Sequence, residues 1–231
     1  MAYNFDNIAP TYDRLNHLMT MGIDRAWRRR AVSMIVDMSQ PLRYLDVATG
    51  TGDLAQDILR RAHDESSLTG IDLSQPMMDI AKSKIENDKR IANAARRLTL
   101  QQGDAERISF ADESFDRVTV GFGVRNFVNL QRGLDEMCRV LRVGGRLAVL
   151  ELSYPDNSLL LSFYKLYALR FLPWLGERIS HDRAAYEYLP NSILRFPKPD
   201  RFVPMLQTAG FSKVEHYSFT FGVCRLYVAE K

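Results

Sequence analysis

Between residues 43 and 152, short apolar runs alternate with longer segments in which apolar residues recur every three or four positions. The short runs predict β-strands, and the wider spacing predicts amphipathic helices. The predicted strands cover residues 43–48, 68–73, 98–102, 115–121 and 146–152. The predicted helices cover residues 52–62, a segment capped by Ser74 with Pro76 in its first turn, and residues 130–141, ended by Gly144 and Gly145. This alternation favours parallel strands joined by crossover helices, and therefore a doubly wound, mostly parallel α/β sheet.

The pattern changes on both sides of this region. Residues 202–209 predict a short helix that stops at Gly210, and residues 214–219 and 224–229 predict two strands. These strands are close enough in sequence for a hairpin, so we expect an antiparallel C-terminal strand in the sheet. We interpret residues 1–231 as a single domain in which residues 1–40 form an N-terminal helical cover.

The composition excludes several classes of protein. Apolar residues make up 46% of the 231 residues and charged residues 26%, which is typical of a soluble globular protein and not of a disordered or fibrous one. The net charge is +3, and no basic stripe with interleaved aromatic residues indicates nucleic-acid binding. Cys138 and Cys224 are far apart, and the four histidines lack metal-ligand spacing, so we expect no disulfide and no metal. Without a secretory signal or an 18-residue apolar stretch, we expect a cytoplasmic protein.

The most informative local motif is the glycine loop Gly50-Thr51-Gly52, which follows the first predicted strand. Glycines at a strand-to-helix turn allow the backbone to approach a ligand closely. Asp72 ends the second predicted strand, 22 residues after Gly50, where a carboxylate can accept hydrogen bonds from both hydroxyls of a ribose. The loop alone also fits a nicotinamide cofactor, because residues 50–55 satisfy the pattern G-x-G-x-x-G/A.

Acidic residues around the loop distinguish the two cofactors. Asp46 precedes the loop and Asp53 follows it, and two carboxylates there would repel a pyrophosphate. They would suit the sulfonium and α-amino groups of S-adenosylmethionine. Asp104 follows the third predicted strand and can accept from an adenine amino group, while Ala105 leaves room for the ring. The residues therefore favour S-adenosylmethionine, with a nicotinamide-dependent oxidoreductase as the alternative class.

Longer stretches of the chain resemble a known family. The order of Asp46, the glycine loop, Asp72 and Asp104 resembles the motifs of class I S-adenosylmethionine-dependent methyltransferases. Residues 12–16 with Trp27, and residues 139–153, resemble the two signatures of the menaquinone/ubiquinone biosynthesis C-methyltransferases. Residues 121–126 are similar to that family's segment after the fourth strand.

This resemblance implies a Rossmann-like, seven-stranded methyltransferase fold with an antiparallel C-terminal strand, in which a helical insertion at residues 154–198 forms part of the substrate side. It implies methyl transfer to a ring carbon of a polyprenylated quinol, demethylmenaquinol. A ubiquinone-pathway benzoquinol and another small acceptor are the alternatives. The implied cofactor-binding residues are Asp46, Thr49, Gly50, Thr51, Gly52, Asp53, Asp72, Leu73, Met77, Asp104, Ala105 and Gly121.

The ring carbon of a quinol becomes nucleophilic when a hydroxyl loses its proton, so the enzyme needs a base or a group that stabilises the oxyanion. Arg125 and Asn126 follow the fourth strand, and we expect Arg125 to lower the pKa of that hydroxyl and Asn126 to hold the oxygen or orient a water. Tyr12 is expected to close the site from the cover. His181 is an alternative base.

Residues 159–175 are mostly apolar and predict a helix of roughly 25 Å. Three interpretations remain open for it: packing in the core or in a homodimer, lining a groove for the polyprenyl tail, or peripheral contact with a membrane surface. The basic residues Arg25, Arg28, Arg29 and Arg30 would add attraction to anionic headgroups.

Overall fold

The structure, a computed structural model, describes residues 6, 9, 12–166 and 183–231. Its centre is a seven-stranded sheet with the strand order β3-β2-β1-β4-β5-β7-β6. The strands are β1 (Arg43–Val47), β2 (Ser67–Asp72), β3 (Leu98–Gln102), β4 (Phe115–Gly121), β5 (Leu141–Leu152), β6 (Lys213–Phe219) and β7 (Cys224–Glu230). Six strands run in the same direction, and β7 is antiparallel to both of its neighbours. The predicted mostly parallel sheet and its antiparallel C-terminal strand are therefore confirmed.

Helices connect the strands and cover both faces of the sheet. Those described are α1 (Tyr12–Met19), α2 (Asp24–Ile35), α3 (Asp53–Leu59), α4 (Gln75–Glu86), α5 (Ala94–Arg97), α6 (Leu130–Val140), α7 (Ser158–Leu166), α8 (Arg183–Arg195) and α9 (Pro199–Thr208). Short 3-10 turns cover Val124–Asn126 and Thr220–Gly222. The hydroxyl of Ser74 accepts a hydrogen bond from the backbone N–H of Met77, and Pro76 lies in the first turn of α4, as the sequence predicts.

The central strands are buried on both faces, because helices cover the sheet above and below. Leu45 and Val47 of β1 and Val118 and Val120 of β4 are fully buried in one core cluster. Strands in this position are expected to be continuously apolar, without alternation of polar and apolar residues. This is why the short apolar runs in the sequence identify them.

The end of α6 and the start of β5 differ from the prediction. The helix ends at Val140 and β5 begins at Leu141, although the glycines at 144 and 145 indicated that the chain turns there before a strand starting at residue 146. Leu141 is fully buried and pairs with Phe115, after which the register of β4 and β5 shifts. Gly144 has a φ of +72°, and its backbone N–H donates to the carbonyl of Lys231. These glycines therefore accommodate an irregularity within the strand.

Helices α1 and α2 form the described part of the N-terminal cover. Trp27, Ala31 and Ile35 of α2 pack in a cluster with residues of β5 and β7, including Leu150. The indole Nε1 of Trp27 also donates to the hydroxyl of Thr220, at 3.0 Å. Within the predicted cover of residues 1–40, the structure describes helices over Tyr12–Met19 and Asp24–Ile35, separated by a turn.

Only parts of the predicted insertion at residues 154–198 are described, as helices α7 and α8. The second half of the helix predicted for residues 159–175 lies outside the described residues, and so does His181. None of the described helices has both the length and the apolar character needed to cross a bilayer.

Candidate active site

A cavity of about 740 Å³ opens at the carboxyl ends of β1, β2 and β4. Ligands bind at this edge in open α/β sheets because the loops that follow the strands converge there. Helices α1 and α2 cover one side of the cavity, and α8 contributes Leu189 and Ile193 to another. The predicted site residues other than Gly52 all line it: Tyr12, Asp46, Thr49, Gly50, Thr51, Asp53, Asp72, Leu73, Met77, Asp104, Ala105, Gly121, Arg125 and Asn126.

The glycine loop makes a sharp turn between β1 and α3. Ala48 and Gly50 have φ values of 51° and 54°, in the left-handed region that non-glycine residues rarely adopt. Gly52 also has a positive φ, of 77°, but it packs against α4: a Cβ there would lie 2.7 Å from the Cβ of Ala81. Gly52 therefore allows α3 and α4 to approach each other, and its place in the cofactor site stays a prediction.

Three carboxylates lie at the ends of successive strands on the floor of the cavity. Asp46 ends β1, is 1% exposed, and accepts hydrogen bonds from the hydroxyls of Thr49 (2.7 Å) and Thr119 (2.6 Å). Burial raises the pKa of Asp46 to about 6. Asp72 ends β2 and accepts from the backbone N–H groups of Gly50 and Ser74, both at 2.8 Å.

Burial likewise raises the pKa of Asp72, since hydrogen bonds from backbone donors only partly compensate for desolvation. Asp104, after β3, is exposed and accepts from the backbone N–H of Glu106. Within the described part of the chain, no ion pair involves Asp46, Asp72 or Asp104. The cavity floor therefore carries an excess of negative charge, which fits a cationic ligand better than a pyrophosphate.

Asp53 does not contribute to that excess, contrary to the sequence argument. Its carboxylate lies 2.6 Å from Lys84 Nζ and 3.0 Å from Arg28 Nη2. Burial alone would raise the pKa of Asp53, but these two cations hold it below its ordinary value. The charge of Asp53 is therefore offset within the protein, and of the four carboxylates predicted from the sequence, Asp46, Asp72 and Asp104 supply the negative potential.

Asp53 belongs to a polar network that joins the cover to the sheet. Asp13 of α1 accepts from the hydroxyl of Thr51 (2.5 Å) and pairs with Lys84 of α4 (2.8 Å). Arg28 of α2 pairs with Asp24 at 2.6 Å as well as with Asp53. His17, Asp24 and Asp53 bring ligand atoms within 4.8 Å of one another, but both carboxylates are already paired with the guanidinium of Arg28. We assign no metal to it.

Arg125 lies in the 3-10 turn after β4, and its side chain is 3% exposed. Its Nη1 donates to the carbonyl of Phe122 and to Glu151 Oε1, the latter at 2.7 Å. Burial alone would lower the pKa of Arg125, but Glu151 keeps it above its ordinary value. The Nε of Arg125 is buried, and no described residue accepts a hydrogen bond from it. Arg125 is therefore a fixed cation beside the cavity.

Asn126 and Tyr12 complete this side of the cavity. The hydroxyl of Tyr188, on α8, donates to Asn126 Oδ1 at 3.1 Å, so the amide oxygen is engaged, and no described residue accepts a hydrogen bond from the amide NH₂. Tyr12 lies close enough to Arg125 for the guanidinium charge to act on the Tyr12 hydroxyl. Burial raises the pKa of Tyr12, so its hydroxyl stays protonated near neutral pH and can donate a hydrogen bond.

Sequence reasoning missed four residues of the site: Arg28, Lys84, Glu151 and Tyr188. Glu151 left a signal, because it is an acidic residue inside the apolar run of residues 147–152. Arg28 and Lys84 left none, since they come from two helices and contact Asp53 only through the tertiary fold. Tyr188 lies in a helix whose packing the sequence does not specify.

Fold and site together define a class I methyltransferase. Two solved structures share the fold, at identities that support the fold alone. A Thermotoga maritima protein described as a SAM-dependent methyltransferase, possible histamine N-methyltransferase, has a TM-score of 0.66 and 18% identity, with 98% of each chain covered. A Haemonchus contortus phospholethanolamine N-methyltransferase, in complex with S-adenosylhomocysteine, has a TM-score of 0.64 and 16% identity, covering 88% of this chain and 52% of that one.

The family follows from the sequence comparisons. A family model described as the ubiE/COQ5 methyltransferase family matches residues 2–231, and the chain belongs to that family. A demethylmenaquinone methyltransferase of Bacteroides fragilis is 41% identical over 98% of this chain and 90% of its own length. A ubiquinone/menaquinone biosynthesis C-methyltransferase UbiE of Geotalea daltonii is 43% identical over 98% of this chain and 94% of its own.

Proposed function

We propose that this protein is an S-adenosylmethionine-dependent C-methyltransferase of quinone biosynthesis, which methylates a ring carbon of demethylmenaquinol to give menaquinol. The names of the relatives support the reaction class and the quinone substrate. The observation that carries the proposal is the pairing, in one cavity, of an acidic floor with a buried arginine whose Nε has no acceptor among the described residues.

The described residues fit the cofactor. When bound, S-adenosylmethionine supplies an electrophilic methyl group on a positively charged sulfur. Asp72 is placed to accept from the ribose hydroxyls, and Asp104 from the adenine amino group. Leu73, which is 61% exposed at the cavity rim, Met77 and Ala105 offer apolar surface for the adenine ring. Asp46, which accepts a hydrogen bond from Thr49, adds negative charge near the glycine loop. Thr51 and Gly121 line other parts of the cavity.

The substrate side provides the groups that the quinol chemistry requires. Arg125 stabilises the oxyanion that forms when a quinol hydroxyl loses its proton, because a nearby cation lowers the pKa of that hydroxyl. Tyr12 and the amide NH₂ of Asn126 donate hydrogen bonds that hold the substrate oxygen in place. The ring carbon then forms a bond to the methyl group while the bond between that methyl group and sulfur breaks, with its electron pair left on sulfur. The ring carbon's own proton is released to solvent, which restores the aromatic ring.

The central test is an assay of the purified protein with S-adenosylmethionine and chemically reduced demethylmenaquinol, with the product measured by mass spectrometry. Arg125→Ala should reduce kcat by roughly 100-fold or more while the Kd for S-adenosylmethionine is unchanged. Arg96→Ala, at an exposed position on α5, is the matched control. Normal turnover by Arg125→Ala would show that Arg125 does not stabilise the oxyanion.

Two further measurements separate the alternatives. Parallel titration with S-adenosylhomocysteine and NAD tests the alternative that the protein is a nicotinamide-dependent oxidoreductase. We expect S-adenosylhomocysteine to bind and NAD not to bind. Quinone profiling of a deletion strain distinguishes the menaquinone pathway from the ubiquinone pathway. Accumulation of demethylmenaquinone supports our proposal, whereas accumulation of an unmethylated benzoquinone precursor assigns the protein to the other pathway.

Peripheral contact with a membrane is a second part of the proposal. Leu159, Leu160 and Leu166 of α7 are exposed, and so are Met21 and Phe221, which are each 81% exposed. Arg25 and Arg29 are exposed on α2, but Arg28 is buried in the ion-pair network and is not available to headgroups. Binding to vesicles that contain anionic lipid, weakened by Met21→Ser and Phe221→Ser together, would support membrane contact.

Homodimerisation stays a prediction that sedimentation can test.

A further inference from the structure

Glu151 occupies a position where a charged side chain is unusual. It lies near the end of β5, its side chain is fully buried, and its neighbour Leu150 is fully buried as well. Burying a carboxylate is unfavourable unless donors replace the water that it loses. Hydrogen-bond donors replace this water at both carboxylate oxygens of Glu151, which indicates a specific role for this residue.

The donors to Glu151 come mainly from one residue. Its Oε2 accepts from the backbone N–H of Arg125 at 3.1 Å, and its Oε1 accepts from Arg125 Nη1 at 2.7 Å. The backbone N–H of Leu152 also donates to Oε1, at 2.7 Å. Glu151 therefore holds both the main chain and the guanidinium of Arg125.

The hydrogen bonds of Glu151 limit how the guanidinium of Arg125 can be oriented. Nη1 donates to Glu151 and to the carbonyl of Phe122, a residue that has a positive φ of 58°. A planar guanidinium that is held at Nη1 and at its own backbone has little freedom to turn. The guanidinium of Arg125, which lines the cavity, is consequently held in one orientation.

We propose that Glu151 is a positioning residue for methyl transfer: it orients Arg125 and offsets part of the positive charge that the substrate oxygen meets. This inference rests on the proposed function, in which Arg125 stabilises a quinol oxyanion. Glu151 itself is not proposed to contact the substrate.

The groups that surround the pair leave this charge balance to Glu151. Among the described residues, the titratable groups that interact with Arg125 or Glu151 are Tyr12 on α1, Tyr188 on α8, and Cys224 and Tyr227 on β7. Asp72 interacts with Tyr12. Burial keeps the pKa values of Tyr12, Cys224 and Tyr227 above their ordinary values, so these groups are neutral near neutral pH. Arg225, the register partner of Glu151, is paired with Asp156 at 2.5 Å.

The test compares two substitutions of Glu151 in the quinol assay. Glu151→Gln keeps the size and removes the charge, so kcat should fall roughly 10- to 100-fold, and the acid limb of the kcat–pH profile should move to lower pH. The limb moves because an uncompensated Arg125 lowers the pKa of the quinol hydroxyl further. Glu151→Asp keeps the charge but shortens the reach, so kcat should fall without that movement. The Kd for S-adenosylmethionine should not change, and Glu86→Gln, at an exposed position, is the control.

A double-mutant comparison shows whether Glu151 acts through Arg125. The residual turnover of Arg125→Ala should be unaffected by adding Glu151→Gln, because the group that Glu151 positions is already missing. If Glu151→Gln fails to fold in either background, Glu151→Asp gives the same comparison with the charge retained. A further loss of turnover in the double variant, or an unmoved acid limb in a folded Glu151→Gln protein, would overturn the inference. Normal turnover by Arg125→Ala would instead reject the proposed function of Arg125.

Discussion

The ammonium group of Lys84, on α4, lies 2.8 Å from the carboxylate of Asp13, on α1. The same ammonium group lies 2.6 Å from Asp53, at the start of α3. The first helix of the cover is thus attached to the glycine loop and its neighbouring helices by charged and polar contacts. Because α1 also contributes Tyr12 to the cavity, these contacts determine how firmly the cavity is covered.

Removing the ammonium group should loosen the cover. We expect Lys84→Met to accelerate dissociation of S-adenosylmethionine several-fold and to increase hydrogen exchange in α1, with a loss of stability on the order of 1 kcal/mol or less. Stopped-flow measurement of ligand release and hydrogen-exchange mass spectrometry test this. Lys82→Met, at an exposed position of the same helix, is the control. Equal release rates in the two variants would mean that the ion pair does not hold the cover.

Asp72 should be essential for cofactor affinity. Asp72→Ala removes the acceptor for the ribose hydroxyls and also frees the backbone N–H groups of Gly50 and Ser74. Since hydrogen bonds to a charged group contribute about 1.5–3 kcal/mol each, the Kd for S-adenosylmethionine should rise by roughly 100-fold or more. Calorimetry measures this, with Asp79→Ala on the exposed side of α4 as the control. An unchanged Kd would reject the placement of the ribose.

The pKa of Asp46, raised by burial to about 6, predicts a pH-dependent affinity. A raised pKa means that this carboxyl takes up a proton as the pH falls through about 6, whereas a cationic ligand favours the ionised form. Affinity for S-adenosylmethionine should therefore decrease below that pH, by at most about tenfold per pH unit. Binding at that pH should also release protons.

Calorimetry in buffers with different ionisation enthalpies measures this proton release. Asp46→Asn, which cannot ionise, should release fewer protons on binding. Its affinity for S-adenosylmethionine should also depend less on pH within about one pH unit of the pKa of Asp46. If the wild-type protein and Asp46→Asn release the same number of protons, the titrating group is elsewhere.

The contact between Tyr188 and Asn126 should affect catalysis and leave cofactor binding unchanged. Tyr188→Phe removes the hydroxyl that engages Asn126 Oδ1, so the amide can rotate and present its oxygen to the substrate. We expect a decrease in kcat of roughly tenfold, corresponding to about 1.4 kcal/mol, and an unchanged Kd for S-adenosylmethionine. Tyr217→Phe, which removes an exposed hydroxyl bonded to Glu215, is the matched control. A wild-type kcat in Tyr188→Phe would show that Asn126 needs no such support.

Much of the fold could be predicted from the sequence because central parallel strands are buried on both faces. Strands β1 and β4 appear in the sequence as short apolar runs, and Asp72 and Asp104 follow such runs directly. Their positions at one sheet edge follow from the parallel arrangement alone. The start of β5 could not be predicted in this way, because Gly144 resembles a helix stop although it lies inside an irregular strand.

The electrostatics of the site were less predictable than its location. Asp53 was expected to attract a cationic ligand, but Arg28 and Lys84, 25 and 31 positions away in the sequence, neutralise it. Likewise Arg125 was expected to lower the pKa of a quinol hydroxyl, but its pairing with Glu151 from the neighbouring strand was not predicted. Ion pairs between distant elements depend on side-chain geometry that neither hydrophobic periodicity nor motif spacing encodes.

The position of β7 between β5 and β6 has a consequence for biosynthesis on the ribosome. Strand β6 is synthesised first, yet it pairs with the rest of the sheet only through β7, so it cannot join the sheet until β7 has been synthesised. Until then, β5, which carries Glu151, lacks the strand that pairs with its outer edge. The nascent chain can therefore assemble the cofactor half of the sheet early, whereas the quinol half is completed only by the last strand.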